Sequence, residues 1–534
     1  MRSSVKNPEV MHQRRWLTLL VLCVSLLVIV LDNTILNVAL PRLSHDLHAS
    51  TSELQWIVDL YVLVFAGLLL TAGSLGDRFG RYKALAFGLA VFGAGSLASA
   101  LSGSATTLIA TRAFMGIGGA FIMPATLSII TNVFTDPRER GKAIGIWAGV
   151  SALGLGIGPV AGGFLLSHFY WGSVFFVNVP IVIVGLIAGW FLIPDSRDPS
   201  APRLDPFGAV LSIAGLATVL WSIIEGPTHG WTSAPIVGTF VVGVAVLTAF
   251  IMWELHSSSP MLDIRFFKNP RFTAASAAIT LVFLSLFGSL FLLTQYLQAV
   301  LGFSPLKAGA LLVPQAIVIM VAAPLSSARV QQFGNKVVVA TGLTIAAIGT
   351  CGYLLFDVSS PVWLVIAVTM VIGLGMGNVM APATDSIMGS LPRAKAGVGS
   401  AMNDTTRQTG GAVGVAVMGS VLASRFHSRV SSSAALQHLP ASLATSVRSD
   451  IGSALVAAHS PQAGPYAAAI TSVAKHSFVS AFHVAVLIAV AIIACAAAGV
   501  IAWLPARETQ EAPAPAPADA TELEVATLAP AYGD

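Results

Sequence analysis

Long apolar runs separated by short polar connections occupy most of the chain. Fourteen of these runs are about 20 residues long, the length that an α-helix needs to cross the hydrocarbon core of a bilayer. They cover residues 16 to 40, 54 to 74, 84 to 102, 106 to 132, 143 to 166, 174 to 193, 206 to 225, 236 to 255, 273 to 298, 307 to 327, 337 to 356, 362 to 388, 398 to 424 and 478 to 504. The pattern predicts an all-α polytopic membrane protein with fourteen transmembrane helices.

The composition agrees with this pattern. The 534 residues are 55% hydrophobic and 10% charged, with a mean hydropathy of +0.81, whereas a soluble domain carries about 25% charged residues. The first run starts at Trp16 and reaches Pro41 without the small-residue cleavage site of a secretory signal, so we expect a retained helix. Cys23, Cys351 and Cys495 lie inside apolar runs, and their spacing indicates neither a metal site nor a disulfide.

The distribution of positive charge predicts the orientation. Most of the 28 Lys and Arg residues lie in the N-terminal segment and in every second connection, for example Arg78, Arg81 and Lys83. Cytoplasmic segments carry this excess in membrane proteins, so both termini are predicted to be cytoplasmic. The net charge of +4 then reflects topology, and no basic run with interleaved aromatic residues indicates nucleic acid binding. The abundance of Ala, Gly and Arg favours a bacterial plasma membrane.

The chain contains an internal repeat. The stretch MPATLSII at 123 to 130 resembles APATDSIM at 381 to 388. A set of glycines also recurs 256 residues later: Gly141, Gly154, Gly158 and Gly163 correspond to Gly397, Gly410, Gly414 and Gly419. The repeat predicts two pseudo-symmetric six-helix bundles with helices 7 and 8 inserted between them, an arrangement that secondary transporters use for alternating access.

The domain boundaries follow from the runs and the repeat. The predicted segments are a cytoplasmic N-terminus (1–15), an N-terminal bundle (16–193), the inserted helices (206–255), a C-terminal bundle (273–504) with an outer loop (426–476), and a cytoplasmic tail (505–534). The outer loop is rich in Ser, Ala, His and Pro and is expected to be partly helical. The tail contains EAPAPAPADA and is predicted to be disordered.

The connection between the second and third helices carries the sequence GSLGDRFGRYK, residues 73 to 83. Its glycines permit a tight connection and close helix contact, and its charged residues stand near a helix end, where they can lock or release a bundle interface. The gating residues predicted here are Gly73, Gly76, Asp77, Arg78, Gly80 and Arg81. The stretch matches the signature of the major facilitator superfamily. Its second-half counterpart, SARVQQFGNK, lacks the aspartate, so a charge latch is expected mainly on the first half.

The fifth helix carries GVSALGLGIGPVAGG, residues 149 to 163. Gly154, Gly158 and Gly162 form a ridge of small residues that permits close helix contact, although such ridges are common in membrane helices. Pro159 is expected to bend the helix because it removes a backbone donor. The stretch resembles the motif that antiporters, rather than symporters, of the same superfamily carry.

Four further segments resemble the fourteen-helix drug:proton antiporters, the multidrug efflux family of QacA and EmrB. They are LDNTILNVALP in the first helix, QWIVDLYVL in the second, FFVNVP at 175 to 180, and MNDTTRQTGGAVGVAV at 402 to 417. The resemblance covers essentially all fourteen helices. It implies proton-coupled export of lipophilic, cationic drugs, antiseptics and dyes, no cofactor, and a monomer surrounded by membrane lipids.

Two acids stand in the first two helices. Asp32 and Asp59 lie at a similar depth, about 10 to 13 Å below the outer surface at about 1.5 Å per residue, and are predicted to share a cavity. Intramembrane carboxyls are costly and usually functional, and a neighbouring pair favours a shared proton. We expect Asp32 to couple to protons and Asp59 to bind substrate; the alternative for Asp32 is a neutral acid satisfied by Asn33 or Asn37. Arg112, by resemblance the fourth-helix arginine of proton-coupled exporters, completes the coupling site.

The second half offers Asp385 and Asp404 as substrate-binding acids. Asp385 replaces the repeat-related Leu127, and Asp404 stands where the QacA branch carries acids. Arg407 follows Asp404 by three residues, so a neutralising pair on one helix face is an equal alternative for Asp404. Of the other acids near the outer surface, Glu225 is explained equally well by interfacial solvation and by a functional role, whereas solvation is favoured for Asp357. Aromatic residues that can line a cavity by cation–π contact are Trp56, Tyr61, Phe114, Phe121, Trp147 and Phe287.

Two other interpretations stay open. One is an exporter of an endogenous lipid or metabolite, and the other is a membrane-embedded receptor or enzyme. The sequence has no GxxxxGK[ST] loop, no HExxH and no convincing nucleophile with a base, so no catalytic or metal-binding residue is predicted. The expected partners are small lipophilic or cationic molecules, protons and lipids.

Overall fold

The computed structural model describes residues 8–47, 49, 51–198, 205–258, 260, 262–433, 436 and 439–504. Within these ranges the regular structure is entirely helical, and fourteen helices are long and apolar enough to cross a membrane. The predicted all-α fold with fourteen transmembrane helices is therefore confirmed.

The spanning helices, numbered in chain order, are α1 (Pro8–Asp46), α2 (Thr51–Phe79), α3 (Arg81–Ala100), α4 (Ala105–Val133), α5 (Pro137–His168), α6 (Asn178–Leu192), α7 (Pro206–His229), α8 (Ala234–His256), α9 (Pro270–Gln295), α10 (Val313–Phe333), α11 (Asn335–Cys351), α12 (Val362–Gly389), α13 (Ala396–Ser431) and α14 (Ala467–Trp503). Short helices at Ser173–Phe176 and Pro305–Ala310 lead into α6 and α10.

The two halves repeat the same packing. In the first half α1 packs on α5, and α2 and α3 pack on α4; in the second, α9 packs on α13, and α10 and α11 pack on α12. The helix starts repeat as well: Gly80 precedes α3 with φ 120° and Gly334 precedes α11 with φ 82°. Only glycine adopts such backbone angles without strain, so each half turns between two helices on a single residue.

Helix α5 packs on both halves through different glycines. A Cβ on Gly154 would meet Val30 of α1 at 2.7 Å, whereas a Cβ on Gly149 would meet the Cα of Met320 in α10 at 2.8 Å. The ridge predicted from the sequence thus packs on α1, and the neighbouring face of α5 forms a bundle-to-bundle contact with α10. Pro159 lies within α5, which remains one helix from Pro137 to His168.

The inserted helices lie against α2 and α13. Leu220 of α7 is buried in a cluster with Leu63 and Ala66 of α2, against which Ala412 of α13 packs. Trp231, just after α7, donates a hydrogen bond from Nε1 to Ser420 in α13. Helix α7 therefore bridges the first and second bundles.

Two predicted segments have different bounds in the structure, and a third lies outside the described residues. Helix α13 continues to Ser431 and α14 begins at Ala467, so the connection between them is shorter than the predicted outer loop 426–476. The buried side chains of Phe426 and Val430 pack the last turns of α13 against the protein. The connection contains helices Ala441–Ser449 and Ile451–Ala458, with buried apolar residues on each. Helix α1 already begins at Pro8, within the predicted N-terminal segment, and the tail 505–534 lies outside the described residues.

Candidate functional site

Polar contacts between the two bundles gather at one end of the molecule, where α2, α4 and α12 end and α3, α5 and α13 begin; we refer to it as the Asp77 end. Asp77 accepts hydrogen bonds from the backbone N–H groups of Gly397 (2.9 Å) and Val398 (3.1 Å) in the first turn of α13. A carboxylate at this position satisfies free helix donors and interacts favourably with the helix dipole. One side chain of the first half therefore caps a helix of the second.

Arg81 completes this junction. Its Nε donates to Asp77 Oδ1 at 2.8 Å, and its Nη2 donates to the backbone carbonyls of Arg393 (2.8 Å) and Ala394 (2.9 Å). Both Asp77 and Arg81 are buried. Asp77 thus holds the N–H groups at the start of α13, and Arg81 holds the C=O groups of the loop before it.

Close helix contact accompanies these hydrogen bonds. A Cβ on Gly73 would lie 2.5 Å from the carbonyl oxygen of Gly397 and 2.7 Å from the Cβ of Ala401. Neither α2 nor α13 has room for a side chain at this crossing. Two other predicted gating residues lie nearby. A Cβ on Gly76 would lie 3.4 Å from the Cβ of Ala84, and the Arg78 guanidinium lies 5.6 Å from the centre of the Phe79 ring.

An ion pair also joins the two bundles directly at the Asp77 end. Arg140, in the first turn of α5, donates from Nε to Asp385 Oδ1 near the end of α12 at 2.8 Å. Arg393 also donates from Nη2 to the carbonyl of Thr135 at 2.9 Å. Asp385, predicted as a substrate-binding acid, is thus paired with the Arg140 guanidinium of the other bundle.

Asp32 and Arg112 form a buried ion pair between α1 and α4. Arg112 Nη1 donates to Asp32 Oδ2, and the two residues are only 2% and 0% exposed. Charges removed so completely from solvent are stable only when paired and hydrogen-bonded. The prediction that both residues belong to one site holds in the structure as a geometric fact; their role in coupling stays a prediction.

Neutral groups complete the environment of this pair. Asn178 of α6 donates from Nδ2 to Asp32 Oδ1 and lies equally close, at 3.1 Å, to Ser96 Oγ of α3. The Arg112 Nε donates to the Ile57 carbonyl at 3.1 Å, and its guanidinium lies 4.1 Å from the centre of the Tyr61 ring. Five helices of the first bundle, α1, α2, α3, α4 and α6, therefore contribute to the site.

Asp59 has an acidic neighbour that the sequence analysis did not predict. Glu225 on the inserted helix α7 stands close enough for the two carboxylates to repel each other when both are ionised. Glu225 in turn lies 3.0 Å from His229 Nδ1, one helical turn further on. The half-buried Asp59 therefore faces the insertion, because α7 packs along α2.

Asp404 and Arg407 form a second buried polar centre, in α13. Arg407 donates from Nη2 to Thr384 Oγ1 at 2.8 Å, and Thr384 Oγ1 donates to Asn403 Oδ1 at 3.1 Å. Asn403 Nδ2 donates to Asp404 Oδ1 at 3.2 Å. Arg112 lies 21 residues before the end of α4 and Arg407 11 residues after the start of α13. At about 1.5 Å per residue, the Asp32 pair is about 15 Å further from the Asp77 end.

Sequence reasoning misses some members of these sites. Asn178 enters the sequence prediction only as part of FFVNVP, although an asparagine within an apolar run is itself a signal of a buried polar partner. The alternative partners proposed for Asp32 are Asn33 and Asn37; Asn33 instead donates to the Ile29 carbonyl at 3.0 Å, and the side chain of Asn37 lies outside the described part. For Glu225 the sequence leaves interfacial solvation and a functional role equal, and its burial in the structure disfavours solvation.

Comparison with known proteins decides the family. The sequence profile of the Major Facilitator Superfamily matches residues 22–415. The chain belongs to the major facilitator superfamily. The buried acid on the first helix and the junction at Asp77 are therefore features of a membrane transporter, and the family consists of transporters rather than enzymes.

Several relatives are similar over nearly their whole length. The chain is 38% identical to the multidrug efflux pump LfrA of Mycolicibacterium smegmatis, over 91% of this chain and 95% of that protein. It is 32% identical to the tetracenomycin C resistance and export protein of Streptomyces glaucescens, over 94% of each. It is 34% identical to the methyl viologen resistance protein SmvA of Salmonella typhimurium, over 88% of this chain and 94% of that protein.

Solved structures agree on the fold. The proton:xylose symporter XylE bound to 6-bromo-6-deoxy-D-glucose superposes on 92% of this chain and 96% of its own, with a TM-score of 0.59 at 14% identity. The human organic anion transporter MFSD10 covers 90% of this transporter and 99% of its own chain, with a TM-score of 0.55. At this identity the likeness concerns the fold alone.

Proposed function

We propose that this transporter is a proton-coupled antiporter that exports lipophilic, mainly cationic compounds across the bacterial plasma membrane by alternating access. The observation that carries the proposal is the fully buried Asp32–Arg112 ion pair, which stands about 15 Å further from the closed Asp77 end than the Asp404 centre does. Relatives named for multidrug efflux, for export of tetracenomycin C and for resistance to methyl viologen, an organic dication, support the substrate class.

The Asp77 end is proposed to face the cytoplasm. The basic residues of this end, such as Arg78 and Lys83, fit the positive-inside rule. Asp77, Arg81 and Arg140 all hold the bundles together there. The conformation described here would then be closed to the cytoplasm, and the export cycle would require these contacts to break and form again.

Charge compensation provides the coupling. With Asp32 ionised, the Asp32–Arg112 pair is neutral and a cation can occupy the neighbouring space. Protonation of Asp32 leaves the Arg112 guanidinium without a counter-charge, so the transporter then repels a cationic guest. A proton and a cation therefore exclude each other, which is the thermodynamic requirement of antiport.

The other acids are proposed to serve either in substrate binding or in gating. Asp59, with Glu225 nearby, and Asp404, one of whose oxygens has no partner in the described structure, are proposed to attract the guest. For Asp385, the ion pair with Arg140 favours gating over the substrate binding predicted from the sequence. Gly154, Gly158 and Gly162 would keep α5 in contact with α1 beside Asp32.

Ethidium efflux from energised cells tests the function. We expect efflux above the empty-vector level that an uncoupler abolishes, and proton-driven ethidium accumulation in everted vesicles. Asp32→Asn should remove both, whereas Asp357→Asn, at an exposed carboxylate, should not. No ethidium movement by a membrane-inserted protein, or movement insensitive to the uncoupler, would contradict the proposal and direct attention to an endogenous lipid or metabolite.

A further inference from the structure

The guanidinium of Arg407 lies between two aromatic rings that belong to different bundles. Its Cζ is 4.9 Å from the centre of the Trp147 ring in α5 and 5.1 Å from that of Phe283 in α9. Trp147 is fully buried and its Nε1 donates to Thr126 Oγ1 at 3.1 Å, so its ring is held in place. Aromatic faces at this distance attract a cation, most strongly away from water.

Arg407 does not use the carboxylate nearest to it in sequence. Asp404 is one helical turn away, a spacing at which an ion pair can form, yet no ion pair joins them among the described residues. Asp404 Oδ2 and Arg407 Nε are both buried and lack any hydrogen-bond partner. The residues are 0% and 4% exposed, so bulk solvent does not reach these two atoms. A second position for the Arg407 side chain, on Asp404, is therefore available.

The internal repeat has neutral residues where Asp404 and Arg407 stand in the second half. The 256-residue offset of the glycines relates Trp147 to Asn403, and the similar stretches MPATLSII and APATDSIM relate Thr126 to Thr384. The hydrogen bond between Trp147 and Thr126 thus has its counterpart in the bond between Asn403 and Thr384. At the same offset, Asp404 corresponds to Ala148 and Arg407 to Ser151. The first half builds the same helix junction with neutral residues. The charged pair is an addition of the second half.

We propose that Trp147 and Phe283 form a binding site for delocalised organic cations, and that Arg407 occupies this site as a tethered substitute until a substrate displaces it onto Asp404. The exchange replaces one cation–π contact by another and adds an ion pair. Asp404 then neutralises Arg407, so the entering cation does not meet an uncompensated positive charge. It also releases Arg407 of the second bundle from Trp147 of the first. Substrate entry thereby loosens a contact between the bundles. This inference rests on the proposed export of cations.

Cation binding to the purified full-length transporter tests the exchange. The probe is tetraphenylphosphonium, and triphenylphosphine oxide serves as its uncharged analogue. Arg407→Gln removes the competitor and leaves Asp404 as a free counter-charge, so the affinity for tetraphenylphosphonium should rise about tenfold, the effect of about 1.4 kcal/mol. Affinity for the uncharged analogue should stay within about twofold. Arg425→Gln, at an exposed arginine of the same helix, is the matched control and should change neither affinity.

The opposite variant separates this exchange from a structural role. Asp404→Asn removes the acceptor for the displaced arginine, so affinity for tetraphenylphosphonium should fall about tenfold. If Arg407 and Asp404 only stabilised the fold, both variants would weaken binding; unchanged or weaker binding by Arg407→Gln overturns the proposal. Should that variant not fold, Arg407→Lys, which keeps the charge but loses the planar group, is expected to bind the cation more tightly than wild type, and equal or weaker binding overturns the proposal. A wild-type protein that neither binds nor exports any cation would instead refute the proposed function.

Discussion

Asp77 of the first half accepts a hydrogen bond of 2.9 Å from the backbone N–H of Gly397 in the second half. The bond joins the end of α2 to the start of α13, and Arg81 fixes the same carboxylate from the other side. Because the acceptor is charged and the donors belong to a helix N-terminus, this contact depends on ionisation as well as on shape. It is the contact through which the two bundles are most directly coupled at the Asp77 end.

Asp77→Asn should loosen this end of the transporter. The amide has no charge to offer the α13 N-terminus, and hydrogen bonds to charged groups contribute about 1.5–3 kcal/mol each. We expect drug efflux to fall about tenfold and a cysteine introduced at the buried Ser400 to react faster with a thiol reagent, in a background without the three native cysteines.

The matched control is Asp136→Asn. Asp136 also caps a helix, accepting a hydrogen bond from the Arg138 N–H at 2.8 Å, but it is exposed and its contacts stay within the first half. It should leave the labelling of Ser400→Cys unchanged. Equal labelling in both variants would show that the Asp77 charge does not hold the bundles together.

Gly73→Ala should act at the same interface through shape alone. The new methyl group would meet the Gly397 carbonyl oxygen at 2.5 Å, and backbone atoms cannot move aside cheaply. Overpacking of this kind costs about 1–3 kcal/mol, here only in the closed conformation. Efflux should fall while the protein remains inserted, and the labelling of Ser400→Cys should increase.

Gly67→Ala on the same helix provides the comparison. Its methyl group would meet Ile213 and Ala217 of α7 at 3.6–3.8 Å, which is ordinary van der Waals contact. Activity should remain within about twofold of wild type. Equal loss in both variants would indicate a general effect on α2 rather than a clash at the bundle junction.

How much of this architecture is available from sequence depends on the range of the interaction. Fourteen helices and the repeat follow from local patterns, because apolar length and glycine spacing are properties of the chain itself. The partner of Asp77 does not: the residue stands in a recognisable motif, but Gly397 lies 320 residues away and contributes only its backbone. Every residue except proline has a backbone N–H, so the sequence does not show which of these donors binds Asp77.

The polar centres show the same limit. Their position inside apolar runs makes Asp32 and Arg112 candidates individually, since ionisable residues within a membrane span are costly and usually functional. Depth along the helices also placed Asp59 beside Asp32, but depth ignores the direction in which a side chain faces. Helix α7 packs along α2 and brings Glu225 to Asp59. The position of an inserted helix is decided by tertiary packing, for which the repeat gives no template.

The ion pair between Arg140 and Asp385 should respond to charge exchange. Arg140→Ala and Asp385→Ala should each lower efflux, because each leaves one charge unpaired between the bundles. In this half-buried pair, Arg140 Nε lies 2.8 Å from Asp385 Oδ1. A double-mutant cycle on the closed state should give a coupling energy of about 1 kcal/mol.

The exchanged variant, Arg140→Asp with Asp385→Arg, distinguishes gating from substrate binding. It restores an attractive pair, so efflux should recover to at least half of the wild-type rate, on the order of the gain expected from one ion pair. A substrate-binding carboxylate cannot be moved to another helix in this way. Failure of the exchanged pair, combined with weaker drug binding by Asp385→Asn, would favour the binding role predicted from the sequence.

Asp32→Asn should abolish proton-coupled efflux through loss of the titrating group, and it should also destabilise the protein. It leaves the Arg112 guanidinium buried without a counter-charge, which costs about 3–5 kcal/mol in comparable sites. The two effects can be separated with the double variant Asp32→Asn with Arg112→Gln. That protein has no unpaired charge, so its thermal stability in detergent should return towards the wild-type value while uncoupler-sensitive efflux stays absent. Recovery of coupled efflux in the double variant would mean that the proton binds elsewhere, and Asp59 with Glu225 would be the next pair of carboxylates to examine.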